Sequence, residues 1–472
     1  MWNYSLMLNW FEEPRGRELL RKAVWGIERE AQRVTKTGDL ALTSHPIAFG
    51  DKLTNPSITT DFAESQLELI TSPFDSIEAA HAELARIHDE VEAALGDELL
   101  WPYSMPPRLP HEDLIPIARY NDTEEGRANA AYRQSLAERY GKKMQMISGL
   151  HVNFSFPSEL LKFIADKLGI DRENQELANE IYFAMARNVL RYRWLLIYLF
   201  GASPSIHQSY DSVVCDELNV IKQCCPACCP TIGQYEKYAT SLRVSRYGYS
   251  NTNQRDVTVS FDSLEAHVAS FKALLKTTLM KESEFYCSIR LKPLAVKGKG
   301  YLEALESHGV RYAELRMMDL NPYIREGISI QQLKVLHVFM LWCLFEQSPP
   351  VTDEEVAWSN ENHHTVSLFG RKPGLQLQHY KRGRGQVPLT TWMDDIFTKM
   401  KQVAKLLDCT RGDMDYQEVI EAEYEKVWDI ERIPSAVMVK DMKENGKGFI
   451  EFGIHLAKSM RQKNAVGVCQ NV

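Results

Sequence analysis

The stretch Gly26-Ile27-Glu28-Arg29-Glu30 is the part of the chain from which the fold can be worked out. Successive side chains of a β-strand point to opposite faces of the sheet, so Glu28 and Glu30 share one face if this stretch is a strand. Carboxylates gathered on one face repel one another and resist burial unless cations hold them together. The stretch therefore predicts a strand whose acidic face forms a metal and phosphate site.

Two further stretches repeat this pattern of acids in a strand-like context. They are Asp61 to Glu68 and Glu314-Leu315-Arg316. In the second of these, Glu314 and Arg316 share a face for the same reason of two-residue spacing. We expect the three stretches to meet in one sheet.

Composition limits the classes of protein to which the chain can belong. The 472 residues are 44% hydrophobic and 25% charged, which is typical of a globular protein with a sizeable core, in one large domain or two closely joined ones. The 63 acidic residues outnumber the 55 basic ones, give a net charge of -8 and leave no long basic run, so a nucleic-acid partner is not expected.

The most apolar stretches, 194–202 and 335–345, are about half as long as the roughly 20 residues of a membrane helix. Residues 1–15 show no secretory signal, and we expect a cytoplasmic protein without membrane contact.

Nine cysteines in a chain without an export signal indicate a reducing compartment, where most thiols act as small hydrophobic side chains. The exception is Cys224-Cys225-Pro226-Ala227-Cys228-Cys229, with Cys215 nearby. The second pair of ligands that a zinc site needs is missing from this segment. A structural zinc, a redox-sensitive loop and a surface insertion all remain open for it.

Hydrophobic periodicity predicts alternating strands and helices. Helices are expected at 77–95, with a capping box of Asp75 and Glu78, and from Asp262, with Glu265 three residues later. Others are expected at 127–143, 175–200, 331–347, 391–407, 413–430 and 447–462, which makes the part from about 330 to 472 mostly helical. Strands are expected at 23–34, 59–71, 148–156, 284–291 and 310–317. Helices around a mainly antiparallel sheet make an α+β fold.

Several motifs in fixed order resemble those of bacterial glutamate-cysteine ligase, also called γ-glutamylcysteine synthetase. They are Gly26-Ile-Glu-Arg-Glu, Ile58 to Thr71, Trp101 to Pro106, Ile147-Ser-Gly-Leu-His-Val-Asn-Phe154, Tyr198 to Pro204 and Ala313 to Pro322. The resemblance covers roughly residues 20 to 380 and is nearest to the ligase module of Gram-positive-type bifunctional glutathione synthases. It implies a curved antiparallel sheet that forms the active-site cradle, as in glutamine synthetase or guanidino kinases. Because those synthases continue into an ATP-grasp domain and this chain stops at Val472, we expect a single catalytic domain, 1–472, without one.

The resemblance implies ATP-dependent joining of the γ-carboxylate of L-glutamate to the amino group of L-cysteine through a γ-glutamyl phosphate, the first step of glutathione synthesis. ATP is a substrate, and Mg²⁺ or Mn²⁺ is the cofactor. Carried over motif by motif, the metal ligands are Glu28, Glu30, Asp61, Glu68, His151 and Glu314. The catalytic residues are Arg316, on the transferred phosphoryl group, and Glu314.

The resemblance also implies contacts to the substrates. The residues implied to bind the amino-acid substrates are Phe62, Tyr132, Arg133, Gln145, Arg243, Tyr249, Tyr286 and Arg290. The residues implied to bind ATP are Arg316, Asn153 and Arg371. No other partner is implied, and the oligomeric state is unknown.

Simpler roles stay open for single residues and for the whole chain. Taken alone, His151 is a hydrogen-bonding histidine, Arg316 a partner in a salt bridge, and Glu64 a helix or surface acid. A ligase that joins glutamate to a different amine would need the same acids and phosphate chemistry. A non-catalytic binding or regulatory protein is the remaining alternative, although it would not need to keep all six metal-binding positions.

Overall fold

The computed structural model describes residues 2–170, 175–210, 237–249, 257–380, 385–409 and 414–469, the last seven of these by their backbone alone. Cys215 and the segment Cys224 to Cys229 lie outside the described residues. The three alternatives for that segment therefore stay open.

A seven-stranded antiparallel sheet forms the centre of the molecule. Its strands are β1 (Val24–Val34), β2 (Ile58–Thr60), β3 (Gln66–Ile70), β4 (Leu99–Leu100), β5 (Leu150–Ser155), β6 (Ile289–Lys292) and β7 (Tyr312–Met318). The order is β2-β3-β1-β5-β7-β6, and the short β4 pairs with the end of β1. A separate hairpin joins β8 (Gln376–Gln378) to β9 (Gln386–Pro388). The predicted α+β class with an antiparallel sheet is confirmed.

Strand register divides the side chains of this sheet between two chemically different faces. Glu28 lies opposite His151, Glu30 opposite Glu68, and Asn153 opposite Glu314, and paired residues point to the same side. We call this side the acidic face; its members are Glu28, Glu30, Glu68, His151, Asn153, Glu314 and Arg316. The intervening residues are mostly apolar and buried in the main hydrophobic core, among them Ile27, Leu69, Val152 and Leu315. We call that side the apolar face.

Helices surround the sheet. The described helices are α1 (Tyr4–Phe11), α2 (Pro14–Arg21), α3 (Ile77–Ala94), α4 (Glu124–Tyr140), α5 (Lys142–Gln145), α6 (Ser158–Leu168), α7 (Gln175–Phe200), α8 (Leu264–Leu275), α9 (Tyr301–His308), α10 (Ile330–Phe345), α11 (Asp353–Phe369), α12 (Leu389–Asp408), α13 (Asp415–Tyr424), α14 (Pro434–Glu444) and α15 (Phe449–Cys469). The longest, α7, contacts β6 and β7, while α3 contacts β1 and β3. None of the described helices combines the length and the apolar character that crossing a membrane requires.

Several of the sequence-based boundaries need correction. The helix caps are Ser76 and Ser263, one residue after the predicted aspartates, because each serine hydroxyl accepts the backbone N–H three residues later. The single strand expected at 59–71 is two strands, since the chain turns between β2 and β3. The strand expected from 284 begins only at Ile289. Helices α1, α2, α6, α9, α11 and α14 were not predicted. Of these, α11 carries many polar residues and lacks a clear apolar stripe.

Candidate active site

Strands β1 and β5 bring the first group of predicted site residues together on the acidic face. Nδ1 of His151 lies 3.1 Å from Oε2 of Glu28, and Nδ2 of Asn153 donates to Oε1 of Glu28 at 2.9 Å. Nε2 of His151 lies 3.7 Å from Oε1 of Glu30. Burial opposes ionisation of Glu28, but the hydrogen bonds and charge of His151 outweigh it and lower its pKa. His151 is thus held between the two carboxylates of β1.

The backbone just before β5 holds Glu30 in position. The N–H of Gly149 donates to Oε2 of Glu30 at 2.7 Å. A Cβ atom at position 149 would lie 1.8 Å from Nη2 of Arg243, so only glycine leaves room for that guanidinium. The glycine in the Ser-Gly-Leu-His motif is therefore explained by close packing of Arg243 against the backbone.

Glu314 and Arg316 form an ion pair at the other end of the acidic face. Nη1 of Arg316 donates to Oε2 of Glu314 at 2.9 Å, and Nζ of Lys292 lies 3.7 Å from Oε1. Burial alone would raise the pKa of Glu314, yet the two cations lower it strongly. The salt bridge that we considered for Arg316 exists, and its acid is itself a predicted metal ligand.

The carboxylates of this face fit a metal ion. Ligand atoms of Glu28, His151 and Glu314 all lie within 4.8 Å of one another. Burial, together with the negative charges of Asp61, Glu28 and Glu30, raises the pKa of Glu68 well above its usual value. Acids that crowd together in this way gain most from a cation, and carboxylate oxygens are the ligands that Mg²⁺ prefers.

Aromatic residues predicted to contact the substrates lie beside the acids. The rings of Tyr249 and Tyr286 meet edge to face at 5.0 Å, and the hydroxyl of Tyr249 donates to Oε1 of Gln145 at 3.5 Å. Burial raises the pKa of Tyr249, and the charges of Asp61 and Glu30 raise it further. Burial also raises the pKa of Tyr286, so both hydroxyl groups stay protonated at neutral pH.

Helix α4 supplies two more of the predicted substrate residues. Arg133 donates to the backbone carbonyls of Thr60 and Asp61, and its guanidinium stacks 4.9 Å from the ring centre of Tyr120. The hydroxyl of Tyr132 lies 2.9 Å from Oγ of Ser283. Arg133 is thus held next to the turn that carries Asp61.

Arg243 occupies the space above Gly149. Its Nη2 donates to the carbonyl of Arg316 at 3.0 Å, while Nε and Nη1 have no hydrogen-bond partner among the described residues. Oδ1 of Asp319 lies 3.9 Å from Nη1 and also accepts the hydroxyl of Ser241 at 3.0 Å. Asp319 therefore connects this arginine to the segment that carries it.

The remaining predicted residues have structural contacts as well. Phe62 is buried in a hydrophobic cluster that is separate from the main core. Nη2 of Arg290 donates to the carbonyl of Phe285 at 2.7 Å, and the residue lies opposite Glu314 across β6 and β7. Nε of Arg371 donates to the carbonyl of Ala239 at 3.0 Å, which places it against the segment that leads to Arg243.

Comparison with known proteins identifies the family. The family model described as glutamate-cysteine ligase matches residues 8–281 and 274–366. The glutamate–cysteine ligase of Clostridium acetobutylicum is 44% identical over 97% of this chain and 100% of its own length. The chain belongs to the glutamate-cysteine ligase family. The ligase of Pseudomonas aeruginosa, 37% identical over 93% of this chain and 85% of its own, is a second relative.

Two solved structures share the fold. The glutamate–cysteine ligase of Francisella tularensis, crystallised with AMP, has a TM-score of 0.82 and 30% identity, covering 94% of this chain and 89% of its own. The bifunctional glutathione synthetase of Pasteurella multocida has a TM-score of 0.77 and 28% identity, covering 98% of this chain and 54% of its own. The predicted resemblance to glutamate-cysteine ligases is confirmed.

Two charged residues of this ligase-family chain have roles that the sequence analysis missed. Lys292 reaches Glu314, and its spacing of two from Arg290 on a strand was the available signal. Glu64 is neither a helix nor a surface acid, because it lies in the turn between β2 and β3 and is only 2% exposed. Its carboxylate accepts the backbone N–H groups of His45 and Arg119 at 2.8 Å each and pairs with Lys52 at 2.7 Å. Glu64 thus supports the loops around Asp61.

Proposed function

We propose that the protein joins the γ-carboxylate of L-glutamate to the amino group of L-cysteine, with ATP converted to ADP and phosphate. This is the first step of glutathione synthesis. The observation that carries the proposal is the acidic face, where Glu28, His151 and Glu314 converge within 4.8 Å beside Arg316 in a chain of the glutamate-cysteine ligase family. Relatives at 44% and 37% identity bear the name of this activity.

The reaction needs charge neutralisation more than a nucleophilic side chain. A carboxylate is a poor acyl donor, so the γ-carboxylate is first phosphorylated, and the cysteine amine then displaces phosphate from the acyl phosphate. Phosphoryl transfer depends on positioning and on electrostatic stabilisation of the phosphate oxygens. A face that collects carboxylates for a cation and arginines for phosphate suits this chemistry.

We assign the metal to the six predicted ligands. They are Glu28, Glu30, Asp61, Glu68, His151 and Glu314. When bound, Mg²⁺, or Mn²⁺ with similar oxygen preference, would neutralise the triphosphate and polarise the phosphoryl group. Asn153 and Gly149 orient Glu28 and Glu30 through the hydrogen bonds described above. Arg316 and, to a smaller extent, Lys292 lower the pKa of Glu314 and so keep it ionised and able to bind a cation.

We assign phosphate binding to Arg316. Nη1 is held by Glu314, so the orientation of the guanidinium is set, while buried Nε has no hydrogen-bond partner among the described residues. A planar fork fixed on one side can bind phosphate oxygens on the other. Asn153, on the same face, and Arg371 are the further candidates for ATP contacts.

We assign the amino-acid substrates to the surrounding polar and aromatic residues. Arg243 has two buried donors to offer to a carboxylate, and Arg133 lies beside Asp61. Tyr249 and Tyr286 lie next to the same acids, and Tyr132, Gln145, Phe62 and Arg290 complete the proposed pocket. Substrate carboxylates would thus meet arginines while the reacting groups face the acids.

We also infer that the described residues act as one catalytic domain in the cytoplasm, where ATP and reduced cysteine are available. Nε1 of Trp2 donates to the carbonyl of Leu344 at 2.8 Å, and one hydrophobic core extends from Trp2 to Ala436. The N-terminal and C-terminal parts therefore pack together around the sheet.

The test is an assay of ADP release that depends on the amine. Purified protein with ATP, Mg²⁺ and glutamate should release ADP on addition of cysteine, and mass spectrometry should find γ-glutamylcysteine in equal amount. The control amines are 2-aminobutyrate, which lacks the thiol, and glycine. ADP release with another amine but not with cysteine would replace the proposal by a ligase of different amine specificity. No release with any amine would favour a non-catalytic protein.

A further inference from the structure

A small cavity lies behind the acidic face. Arg29 stands between Glu28 and Glu30 on β1, so its side chain points to the opposite side of the sheet. There it lines a cavity of about 10 Å³ together with His88 of α3 and Arg461 of α15. The centre of a water-sized species can move within this volume, so the cavity has room for one water molecule or one monatomic ion.

Hydrogen-bond donors without partners line this cavity. Arg29 is only 2% exposed, and its Nε and Nη1 have no hydrogen-bond partner among the described residues. His88 is equally buried, and neither ring nitrogen has a partner there. The nearest ion-pair contact of the ring, from Nδ1 to Oε1 of Glu92, is 3.7 Å, too long for a hydrogen bond. A guanidinium and an imidazole thus share one small space with unused N–H groups.

The charges around the cavity leave Arg29 without its own counter-ion. The charged side chains that line the space are Arg29, Glu92, Glu98, Arg325 and Arg461. Glu98 pairs with Arg33 at 2.5 Å. Arg325 pairs with Asp89, with Glu326 at 2.8 Å and with Glu92 at 4.0 Å. Among the described residues no carboxylate forms an ion pair with Arg29, which Glu326 and Glu92 attract only from further away. A buried guanidinium keeps its charge, so this arrangement is costly unless an anion completes it.

We propose that this cavity binds a small monovalent inorganic anion of the chloride type, held by Arg29 and His88. Chloride accepts several N–H groups at once and supplies the missing negative charge. Water supplies no charge and must also find acceptors for its own hydrogens. The bound anion would fix β1 from behind against α3 and the C-terminal helix.

The first test compares salts at equal ionic strength. Unfolding by urea is followed in sodium chloride and in sodium gluconate, whose anion is too large for the cavity. Specific binding predicts that the folding equilibrium constant rises with chloride and that a concentration ten times the dissociation constant raises it about 11-fold. Equal stability in the two salts at all concentrations would overturn the proposal.

Variants locate the effect. In Arg29→Met, stability should no longer depend on chloride. In His88→Leu, the same gain in stability should require a higher chloride concentration. The matched control is Arg86→Met, which removes an exposed arginine on the same helix as His88 and should leave the dependence unchanged. If the control loses the dependence as well, or Arg29→Met keeps it, the anion binds elsewhere and the proposal is wrong.

Crystals of the unaltered protein give an answer even if Arg29→Met does not fold. Bromide replaces chloride and is located by its anomalous scattering. A bromide peak within hydrogen-bond distance of Arg29 and His88 would support the site. An oxygen of water at this position, in crystals that contain bromide elsewhere, would overturn it. The proposed ligase activity plays no part in either measurement, so the two proposals fail independently.

Discussion

The two faces of the central sheet are made by neighbouring residues of the same strands, yet they have opposite effects on stability. Leu69 on β3 is fully buried in the main core, where burial of apolar surface favours folding. Glu68, one residue earlier, lies among acids whose charges and burial raise its pKa well above the usual value. The apolar face thus stabilises the sheet, while the acidic face places unfavourable charge where a cation and phosphate can use it. Active sites commonly reduce stability in this way.

The largest expected effect comes from removing a charge on the acidic face. Glu314→Gln keeps the side-chain volume but loses a metal ligand and the partner of Arg316. We expect turnover to fall about a thousandfold, because metal and charge stabilisation contribute several kcal/mol to phosphoryl transfer. The measurement is ADP release at saturating Mg²⁺ and substrates. An exposed acid on α3, in the variant Glu90→Gln, is the control; near-normal turnover in Glu314→Gln would remove this residue from the site.

The matching change on the apolar face should affect stability. Leu69→Ala leaves a cavity in a fully buried position, and the free energy of unfolding should fall by about 3 kcal/mol. Urea unfolding measures this loss, and turnover of the folded fraction should stay within a few-fold of normal. A large loss of turnover without a loss of stability would contradict the division of labour between the two faces.

The sequence predicted this division because it depends on local spacing. The two-residue spacing of Glu28 and Glu30, and of Glu314 and Arg316, places each pair on one face wherever the chain is extended. The bounds of β1 and α7 follow the predictions within one residue for the same reason, since both have a continuous local pattern. Which acids oppose one another across strands was implied only by the family resemblance.

Contacts between distant segments could not be predicted in this way. Arg243 lies above Gly149 and is neutralised by Asp319, but nothing in the neighbouring sequence of these three residues shows their proximity. Glu64 has the composition of a surface acid, and only the approach of Lys52 and two backbone N–H groups makes its burial favourable. The residues that support the site are therefore brought there by tertiary packing. The residues on the acidic face itself are placed by the local sequence pattern.

Arg316→Lys tests whether geometry matters on the acidic face beyond charge. Lysine keeps the positive charge but lacks the planar fork that Glu314 holds in place. We expect turnover to fall about 30-fold, which corresponds to about 2 kcal/mol. The Michaelis constants for both amino acids should change less than turnover. The control is Lys292→Arg, which preserves a cation near Glu314; unchanged turnover in Arg316→Lys would leave Arg316 with the salt bridge as its only role.

Asp319→Asn tests whether the carboxylate of Asp319 holds Arg243 in position. The variant keeps the size of the side chain but removes the negative charge 3.9 Å from Nη1. If Arg243 binds a substrate carboxylate, a less firmly held guanidinium should raise the Michaelis constant of one amino acid about tenfold, or about 1.4 kcal/mol. The Michaelis constant of ATP should not follow. Equal changes for all three substrates would indicate a general loss of structure, and unfolding curves would detect it.

The smallest expected effect has the opposite sign. In metal-free protein at pH 8, Glu68→Gln removes a carboxylate that Asp61, Glu28 and Glu30 repel, so the free energy of unfolding should rise by about 1 kcal/mol. Addition of Mg²⁺ should then stabilise the variant less than the unaltered protein, because one proposed ligand is gone. The measurement is urea unfolding with and without Mg²⁺ after treatment with a chelator. A loss of stability in the metal-free variant would show that Glu68 contributes favourable contacts that outweigh repulsion, and the two faces of the sheet would then differ in chemistry but not in their effect on stability.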